Sequence, residues 1–404
     1  MASGFEVPDH VRPIRDAVLA FMVERVEPAE PVLQAGGVEA AGVLLQLQEE
    51  AKAEGLWALG HPVELGGAGM AFLDYVYVNE VQGRSEHGQL ALGTFTLQDS
   101  LMLDAHASEA QRERWLTPLV AAEVWPSFAM TEPDVASSDP TNLQTTAARD
   151  GDDWVLNGRK WCISGADGAA FAIVVAKTDD DETKGHRNYS LIIVPTDTPG
   201  WRIVRHPQWL GSHAPGGHPE IALEDVRVPA GNLLGGEGEG FAIAQRRLAG
   251  GRLAHAMRWI GVAQRALDLS AKRLLERKAF GKELARHQGL QFMVADSAMD
   301  LYASRLMVLH TAWKVEHGMP HRQEVAMTKT FVSEAFGRIA DRAVQMHGAA
   351  GIAMDLPIAG IYADARAARI YDGASEVHRM VMAREVLKLA AAGESTRQAC
   401  GDVG

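Results

Sequence analysis

Cysteine is nearly missing from this sequence of 404 residues, which contains only Cys162 and, in a tail rich in small residues, Cys400. Two cysteines cannot form a disulfide framework, and such scarcity is typical of proteins in a reducing compartment. The opening residues, MASGFEVPDHVRPIRD, lack the apolar segment of a secretory signal and carry acidic residues early, so no presequence is expected. We therefore expect a cytoplasmic protein.

Positive charge and long apolar runs are also scarce. The 39 Lys and Arg are outnumbered by 52 Asp and Glu, which gives a net charge of −13. Because general nucleic-acid binding requires a positive surface, that class is disfavoured. No apolar run approaches the roughly 20 residues of a membrane span. The length leaves room for two or three domains, since single cores stop growing at roughly 250–300 residues.

What the sequence does contain is a change of periodicity along the chain. Apolar residues at helical spacing mark both ends, as in Val11, Ile14, Val18, Phe21 and Met22, and in Leu290, Val294, Ala298 and Leu301. The middle holds β-rich runs at 171–178, 190–195, 201–207 and 220–229, separated by turn-rich loops. We predict an α+β protein with an N-terminal helical domain (1–125), a central β-barrel or sandwich domain (126–235), a C-terminal domain resembling a four-helix bundle (236–395) and a flexible tail (396–404).

Several common site motifs are absent from the sequence. The glycine-rich GGEGEGF (235–241) follows the β region instead of opening a βαβ unit, so it is interpreted as a connector. No metal site is expected, because Gly318 and Pro320 break the helix that would align His317 with His321. No GxSxG elbow occurs, which disfavours a serine hydrolase.

Two segments in the middle of the chain stand out, a hydroxyl-rich loop and a polar segment that ends in a serine. AMTEPDVASSDP (129–140) is a loop leading into the β region, and NGRKWCISGA (157–166) is interpreted as a polar turn followed by a strand. Together they could offer hydroxyls and amides to a flat polar ring.

Near the end, RIYDGASEV (369–377) interrupts a helix-rich region with an Asp-Gly turn. One interpretation is a plain turn with Ser375 or Asp372 capping the next helix. The other is that Asp372 is a catalytic carboxylate, and this needs support from elsewhere in the chain.

These segments resemble the acyl-CoA dehydrogenase family over essentially the whole chain, from about residue 10 to 390. The segments 129–140 and 157–166 resemble its flavin-binding signature, and the Asp-Gly turn resembles the stretch that carries its catalytic base. Further matches in the expected order are ELGGAGM (64–70), GEGEGF (236–241), RKAFGK (277–282), HQGLQF (287–292) and QMHGAAG (345–351).

The resemblance implies a non-covalently bound FAD between the β domain and the C-terminal helices. It places Phe128, Met130 and Thr131 against the flavin ring and Ser164 near flavin N5. It also places Arg277 on the pyrophosphate, where a guanidinium suits phosphate oxygens; that residue, Gln345 and Gly348 would come from a neighbouring subunit of a homodimer or homotetramer. The further cofactor positions implied are Cys162, Ala279, Phe280, Gln288, His347, Ala349, Ala374 and Glu376.

Four of these positions depart from the family pattern. Cys162 stands where a tryptophan is usual, Ala279 and Ala374 replace threonines, and Ala349 replaces a glycine. Individual contacts to the cofactor are therefore lost, while the overall site is retained.

For the substrate, the resemblance implies an acyl-CoA held by Ser137, Arg252 and Arg384. A backbone N–H of the turn, assigned to Gly373, would polarise the thioester carbonyl together with a ribityl hydroxyl of FAD. Asp372 would remove the α-proton while a hydride leaves the β-carbon for flavin N5, giving a trans-2-enoyl-CoA. Burial should raise the pKa of Asp372 above the usual value of ~3.9.

The combination of TEPDVASSD, GGH (216–218) and DG-x-x-EVH (372–378) most resembles the branch of long-chain and hydroxyacyl-CoA dehydrogenases. That branch also carries aspartate as the base, whereas most members of the family carry glutamate there. That implies a role in fatty acid β-oxidation, with an electron-transfer flavoprotein as acceptor. Three alternatives stay open: a nitroalkane-oxidase-like flavoprotein, an enzyme that processes 4-hydroxy- or 4-phosphoacyl-CoA, and a flavin-binding or scaffold protein without catalysis.

Overall fold

The first part of the chain is helical. The computed structural model describes residues 5–211 and 216–401. Its N-terminal helices are α1 (Arg12–Phe21), α2 (Glu27–Ala35), α3 (Gly37–Ala53), α4 (Phe72–Gln82), α5 (Gly88–Ala91), α6 (Leu97–His106), α7 (Glu109–Gln111) and α8 (Thr117–Val120). The predicted apolar face is confirmed, because Val18 and Met22 are fully buried and Val11 and Phe21 nearly so.

The middle part forms a mixed sheet. Its strands are β1 (Pro126–Ala129), β2 (Thr146–Asp150), β3 (Asp153–Lys160), β4 (Phe171–Lys177), β5 (Tyr189–Pro195), β6 (Trp201–Arg205), β7 (Glu220–Pro229) and β8 (Leu233–Leu234). Within the described ranges the strand order is β6-β7-β3-β2-β4-β5-β8, and β1 runs parallel to β4.

Strands β4 and β5 are buried on both faces of this sheet. Phe171, Ile173 and Val175 pack with Trp115 and Leu119 of the N-terminal region. The alternate residues of β4 pack on the opposite face, against other strands. Burial on both faces explains why these runs are continuously apolar in sequence.

One strand prediction is wrong. The expected strand after NGRK is a turn, and the NGRK residues themselves lie in β3. The reason is Cys162, whose φ of 57° turns the chain away from extended geometry. The turn directs Ile163 into the core, where it is 1% exposed.

Long helices make up the last part of the chain. They pack on one another in the expected bundle-like arrangement, around α11. Its elements are α9 (Gly240–Glu276), the short hairpin β9 (Lys278–Ala279) and β10 (Lys282–Glu283), α10 (Gln288–Glu316), α11 (Arg322–His347), α12 (Ala349–Ile352), α13 (Pro357–Ala368) and α14 (Ser375–Ala391). On the predicted face of α10, Leu301 is buried whereas Ala298 is exposed.

The predicted flexible tail differs from the structure at residues 398–400. These residues form a helical turn in which Ala399 is 4% exposed, and the Ala399 carbonyl accepts a hydrogen bond from Gln323 Nε2 at 3.0 Å. The apolar side chain and the backbone bond hold this turn against the bundle. Residues 402–404 lie outside the described part.

Helices α4 and α9 cross at close range, and this crossing sets the position of the central part of α9. A Cβ on Gly83 would lie 2.3 Å from Arg258 Cα, and one on Gly261 would lie 1.9 Å from Glu80 O. Only glycine permits such a backbone approach. Nearby, Asn79 Nδ2 donates to Ala254 O at 3.1 Å, which fixes α9 where its polar residues meet the Asp-Gly turn. Among the described residues, none of the helices is long and apolar enough to cross a membrane.

Candidate active site

The Asp-Gly turn connects α13 to α14 and is held by side chains from three other places in the chain. Asp372 and Gly373 both have positive φ, 54° and 95°. Arg252 Nε of α9 donates to Asp372 O at 2.8 Å, and Lys329 Nζ of α11 donates to Gly373 O at 2.7 Å. His378 Nε2 of α14 lies 3.3 Å from Asp372 O. The turn is therefore rigidly placed by charged donors.

The interpretation of this turn as a helix cap is wrong. Helix α14 begins at Ser375 with Ala374 as its N-cap, and no side chain makes a capping hydrogen bond there. The Asp372 carboxylate points instead to His255 of α9, whose Nε2 lies 3.2 Å from Oδ2. The Asp372 side chain is 21% exposed. A strained, largely buried carboxylate that caps no helix is a functional-site candidate.

Replacing Gly373 by alanine should damage this turn. The added Cβ would lie 2.8 Å from His378 Nε2 at a φ that L side chains rarely adopt, a strain of about 1–3 kcal/mol. We expect a lower melting temperature and at least about tenfold slower turnover, since a tenfold change needs only about 1.4 kcal/mol. Thermal melting and turnover of Gly373→Ala test this. The matched control is Gly289→Ala, because nothing lies within 4 Å of a Cβ at that helical position. Equal behaviour of the two variants would contradict the strain argument.

The predicted rise in the pKa of Asp372 is wrong for this structure. Burial raises the pKa of the carboxyl, but the hydrogen bond with His255 and the positive charges of Arg247 and Arg252 lower it more, so it lies below the ordinary aspartate range. Asp372 is therefore ionised at neutral pH. Burial also lowers the pKa of Lys329 to about 8 and that of His378 to about 4.

The segments 129–140 and 157–166 are linked by hydrogen bonds, and we call the residues that they bring together the Phe128 surface. Trp161 N donates to Thr131 O at 3.0 Å, and Ser127 Oγ donates to Ser164 O at 3.1 Å. These bonds join β1 and the segment that follows it to the turn that follows β3. They bring together five predicted flavin positions: Phe128, Met130, Thr131, Cys162 and Ser164.

A buried ion pair between Lys160 and Glu132 stabilises the backbone of this surface. Lys160 Nζ, fully buried, lies 2.9 Å from Glu132 Oε1 and donates to Met130 O and Val175 O at 2.9 and 2.8 Å. Burial lowers the pKa of Lys160 to about 8. Glu132 also accepts the backbone N–H groups of Gln144 and Thr145. The pair fixes the backbone on both sides of Thr131.

Arg247 of α9 links this surface to the turn. Its guanidinium lies 4.4 Å from the centroid of the Phe128 ring and donates to both carboxylate oxygens of Asp99, at 2.7 and 3.2 Å. Its charge is also one of those that lower the pKa of Asp372. The Phe128 side chain and the Asp372 turn are therefore both contacted by the same helix, α9, through Arg247 in the first case and through Arg252 and His255 in the second.

The other predicted site residues have local partners of their own, are partly buried, or are exposed. Ser137 Oγ accepts from Glu132 N at 2.9 Å and so stabilises its own loop. His347 is buried, and its Nδ1 lies 2.8 Å from Ala343 O in its own helix. Ala279 and Ala374 are partly buried. Exposed positions are Arg277, Phe280, Gln288, Gln345, Gly348, Ala349, Glu376 and Arg384.

Sequence reasoning missed five polar residues around Asp372: Arg247, His255, Arg258, Lys329 and His378. The spacing of residues in the sequence did indicate part of this set. Arg252, His255 and Arg258 are spaced three residues apart, so they share one face of a helix. No feature of the neighbouring sequence indicates that this helix face contacts a turn more than a hundred residues further along the chain.

The residues present fit a flavin. Phe128 and Thr131 are partly exposed and Ser164 is exposed, so an aromatic side chain and two hydroxyl groups lie on adjoining segments. The Ser164 hydroxyl also lies 2.9 Å from His218 Nδ1. A flat ring with polar edges requires these chemical groups. The exposed Arg277 guanidinium suits a phosphate.

Comparison with known proteins agrees along the whole chain. Family models described as the N-terminal, middle and C-terminal domains of acyl-CoA dehydrogenase match residues 8–123, 127–226 and 238–387. "Probable acyl-CoA dehydrogenase FadE2" of Mycobacterium tuberculosis is 42% identical over 351 residues, covering 85% of this chain and 86% of that protein.

Animal relatives and a solved structure extend the comparison. "Acyl-CoA dehydrogenase family member 11" of Gallus gallus is 39% identical over 387 residues, which is 91% of this chain and 49% of that protein. The chain thus spans about half the length of the animal relatives it matches. The crystal structure of acyl-CoA dehydrogenase from Geobacillus kaustophilus is 29% identical, with a TM-score of 0.84 and coverage of 94% of this chain and 98% of that one. The chain belongs to the acyl-CoA dehydrogenase family, whose members are FAD-dependent oxidoreductases.

Proposed function

We propose that this protein catalyses the FAD-dependent α,β-dehydrogenation of an acyl-CoA thioester to a trans-2-enoyl-CoA, with Asp372 as the base. The observation that carries the proposal is an ionised, largely buried carboxylate on a strained turn, contacted by the same helix, α9, as the Phe128 side chain. Family membership supplies the reaction class, and the carboxylate supplies the group that the reaction requires.

Proton removal is the part of the reaction that these residues perform. When bound, FAD supplies the acceptor for the β-hydride. Because Asp372 is ionised at neutral pH, it can accept the α-proton without first losing one. An acyl chain over the carboxylate would displace water and so strengthen the base.

The turn also stabilises the negative charge that develops on the thioester carbonyl oxygen. The backbone N–H assigned to this task, that of Gly373, lies on a segment fixed by Arg252 and Lys329. Preorganised donors of this kind stabilise an enolate because they need no reorganisation during the reaction. The positive charges of Arg247, Arg252 and Lys329 favour negative charge in the same place.

We propose further that electrons leave for an electron-transfer flavoprotein and that Arg277, Gln345 and Gly348 serve the cofactor of a neighbouring subunit. The exposure of Arg277, Gln345 and Gly348 supports the assignment to a neighbouring subunit. Large apolar side chains of the same helical region are also exposed: Phe280, Ile352 and Met354 are 95%, 73% and 74% exposed. Burial of such side chains between subunits would stabilise an oligomer.

An anaerobic panel of butanoyl-, octanoyl- and hexadecanoyl-CoA tests the proposed reaction. We expect the yellow holoprotein to bleach with at least one member and to recolour when an electron acceptor is added. Bleaching by a nitroalkane with fast reoxidation in air, and no response to acyl-CoA, would instead identify an oxidase. Holoprotein that no compound bleaches would contradict both functions.

A further inference from the structure

The His255 ring is packed between two aromatic side chains, Trp259 and Tyr371. The ring stacks on Trp259, with centroids 5.6 Å apart and planes at 20°, and meets Tyr371 edge-on at 5.2 Å. Trp259 Nε1 in turn donates to the Tyr371 hydroxyl at 2.9 Å. The two aromatic residues form a slot that fixes the plane of the imidazole.

Both nitrogens of this ring have partners, and the partners differ in kind. Nδ1 lies 2.7 Å from a guanidinium nitrogen of Arg258. Nε2 lies 3.2 Å from Asp372 Oδ2. A guanidinium can only donate, so Nδ1 must accept and cannot carry a proton. The proton therefore sits on Nε2, and the neutral imidazole donates it to the carboxylate.

The charges that face the ring agree with this tautomer. Arg258 and Lys329 disfavour an imidazolium, Asp372 favours one, and burial disfavours it most, so the pKa of His255 is lowered. Arg252 and His378 contact the backbone carbonyl of Asp372, and the charge of Arg247 also lowers the pKa of the Asp372 carboxyl. An imidazolium at His255 would also break the bond with Arg258, because both groups would then be donors.

We propose that His255 is a positioning residue for Asp372: as a neutral imidazole locked by Arg258, it holds carboxylate oxygen Oδ2 and leaves Oδ1 free to take the α-proton. This inference rests on the proposed function. The Cα–H bond breaks, its proton goes to Asp372, and the hydride leaves the β-carbon for the acceptor that FAD supplies. His255 exchanges no proton in this step, which distinguishes it from a second base.

The test measures proton transfer separately from hydride transfer. A β-thia acyl-CoA has no β-hydrogen to give as hydride, so exchange of its α-hydrogens in heavy water reports the base alone. The β-thia forms of the three panel acyl-CoAs are incubated with the holoprotein across the pH range. The variants are His255→Phe, which keeps an aromatic ring in the slot, and His255→Gln, which keeps a donor.

Loss of the hydrogen bond between His255 and Asp372 should destabilise the ionised carboxylate and so raise the pKa of the Asp372 carboxyl group. Because the bound acyl chain displaces water and raises the pKa of Asp372 from its value in the free protein, the acid limb of the exchange profile reports the carboxyl group in the complex. We expect this limb to move up by about one to two pH units in His255→Phe, and to move much less in His255→Gln. Exposed His317, bonded to its own helix at Trp313 O, offers a control, since His317→Phe should leave the profile unchanged. FAD content and melting temperature verify that each variant is folded. A His255→Phe profile that superimposes on the wild-type profile overturns the proposal.

Nitrogen NMR of wild-type His255 gives a second readout that needs no substrate. We expect the Nε2–H tautomer at neutral pH, with Nδ1 unprotonated. An imidazolium or an Nδ1–H tautomer overturns the inference even if the enzyme is active. If wild type and Asp372→Asn exchange equally, the base assignment in the proposed function has failed, whereas the NMR result still decides the state of His255.

Discussion

Replacing Asp372 with asparagine should slow the reduction of the bound flavin by an acyl-CoA about 10²–10⁴-fold, the usual contribution of a general base. Asparagine is nearly the same size and can still contact His255, but it has no lone pair basic enough to take an α-proton. The measurement is anaerobic stopped-flow bleaching at saturating acyl-CoA. FAD content should be unchanged, because the carboxylate is assigned to substrate chemistry and not to the cofactor.

The matched control removes the same charge elsewhere. Asp296 is an exposed aspartate on α10, so Asp296→Asn lowers the negative charge of the protein without touching the site. It should bleach at the wild-type rate. If Asp372→Asn also bleaches as fast as wild type, Asp372 is not the base.

The second large effect is expected from Lys160→Met. The substitution leaves the Glu132 carboxylate buried without its cation and leaves the carbonyls of Met130 and Val175 without this donor. Breaking a buried ion pair in this way costs about 3–5 kcal/mol. Since the pair fixes the backbone around Thr131, we expect a lower melting temperature together with loss of FAD on gel filtration.

A double variant separates the charge from the packing. Lys160→Met combined with Glu132→Gln removes both charges, and the amide can still accept one backbone N–H. We expect the double variant to be less destabilised than the sum of the two single variants, because no unpaired charge stays buried. Additive losses would show that the two side chains act independently.

The architecture was predictable because it depends on patterns that persist over many residues. The apolar face of α1 and the continuously apolar β4 and β5 follow directly from burial on one face or on both. The strand expected after NGRK failed because it depended on one backbone angle. A positive φ at Cys162 is unusual for this residue type, and local composition does not predict it.

The candidate site was predictable only in part, for a related reason. Asp372 stood out because an Asp-Gly turn interrupts a helical region. His255 and Lys329 could not be assigned to it, since each lies in a long helix where a polar residue is usually solvated. Their role depends on how α9 and α11 pack against the turn, and that depends on crossings such as Gly83 against Arg258. The lowered pKa of Asp372 was missed because the groups that cause it lie on α9.

The central claim is that this protein removes an α-proton and a β-hydride from an acyl-CoA. Its most direct test is mass spectrometry of the product formed from an acyl-CoA fully deuterated at the α- and β-carbons, using the member of the panel that bleaches the flavin fastest. We expect a trans-2-enoyl-CoA that has lost one deuterium from each carbon, formed in step with flavin reduction. A product that retains all of the label, or that forms by loss of water without flavin reduction, would contradict it.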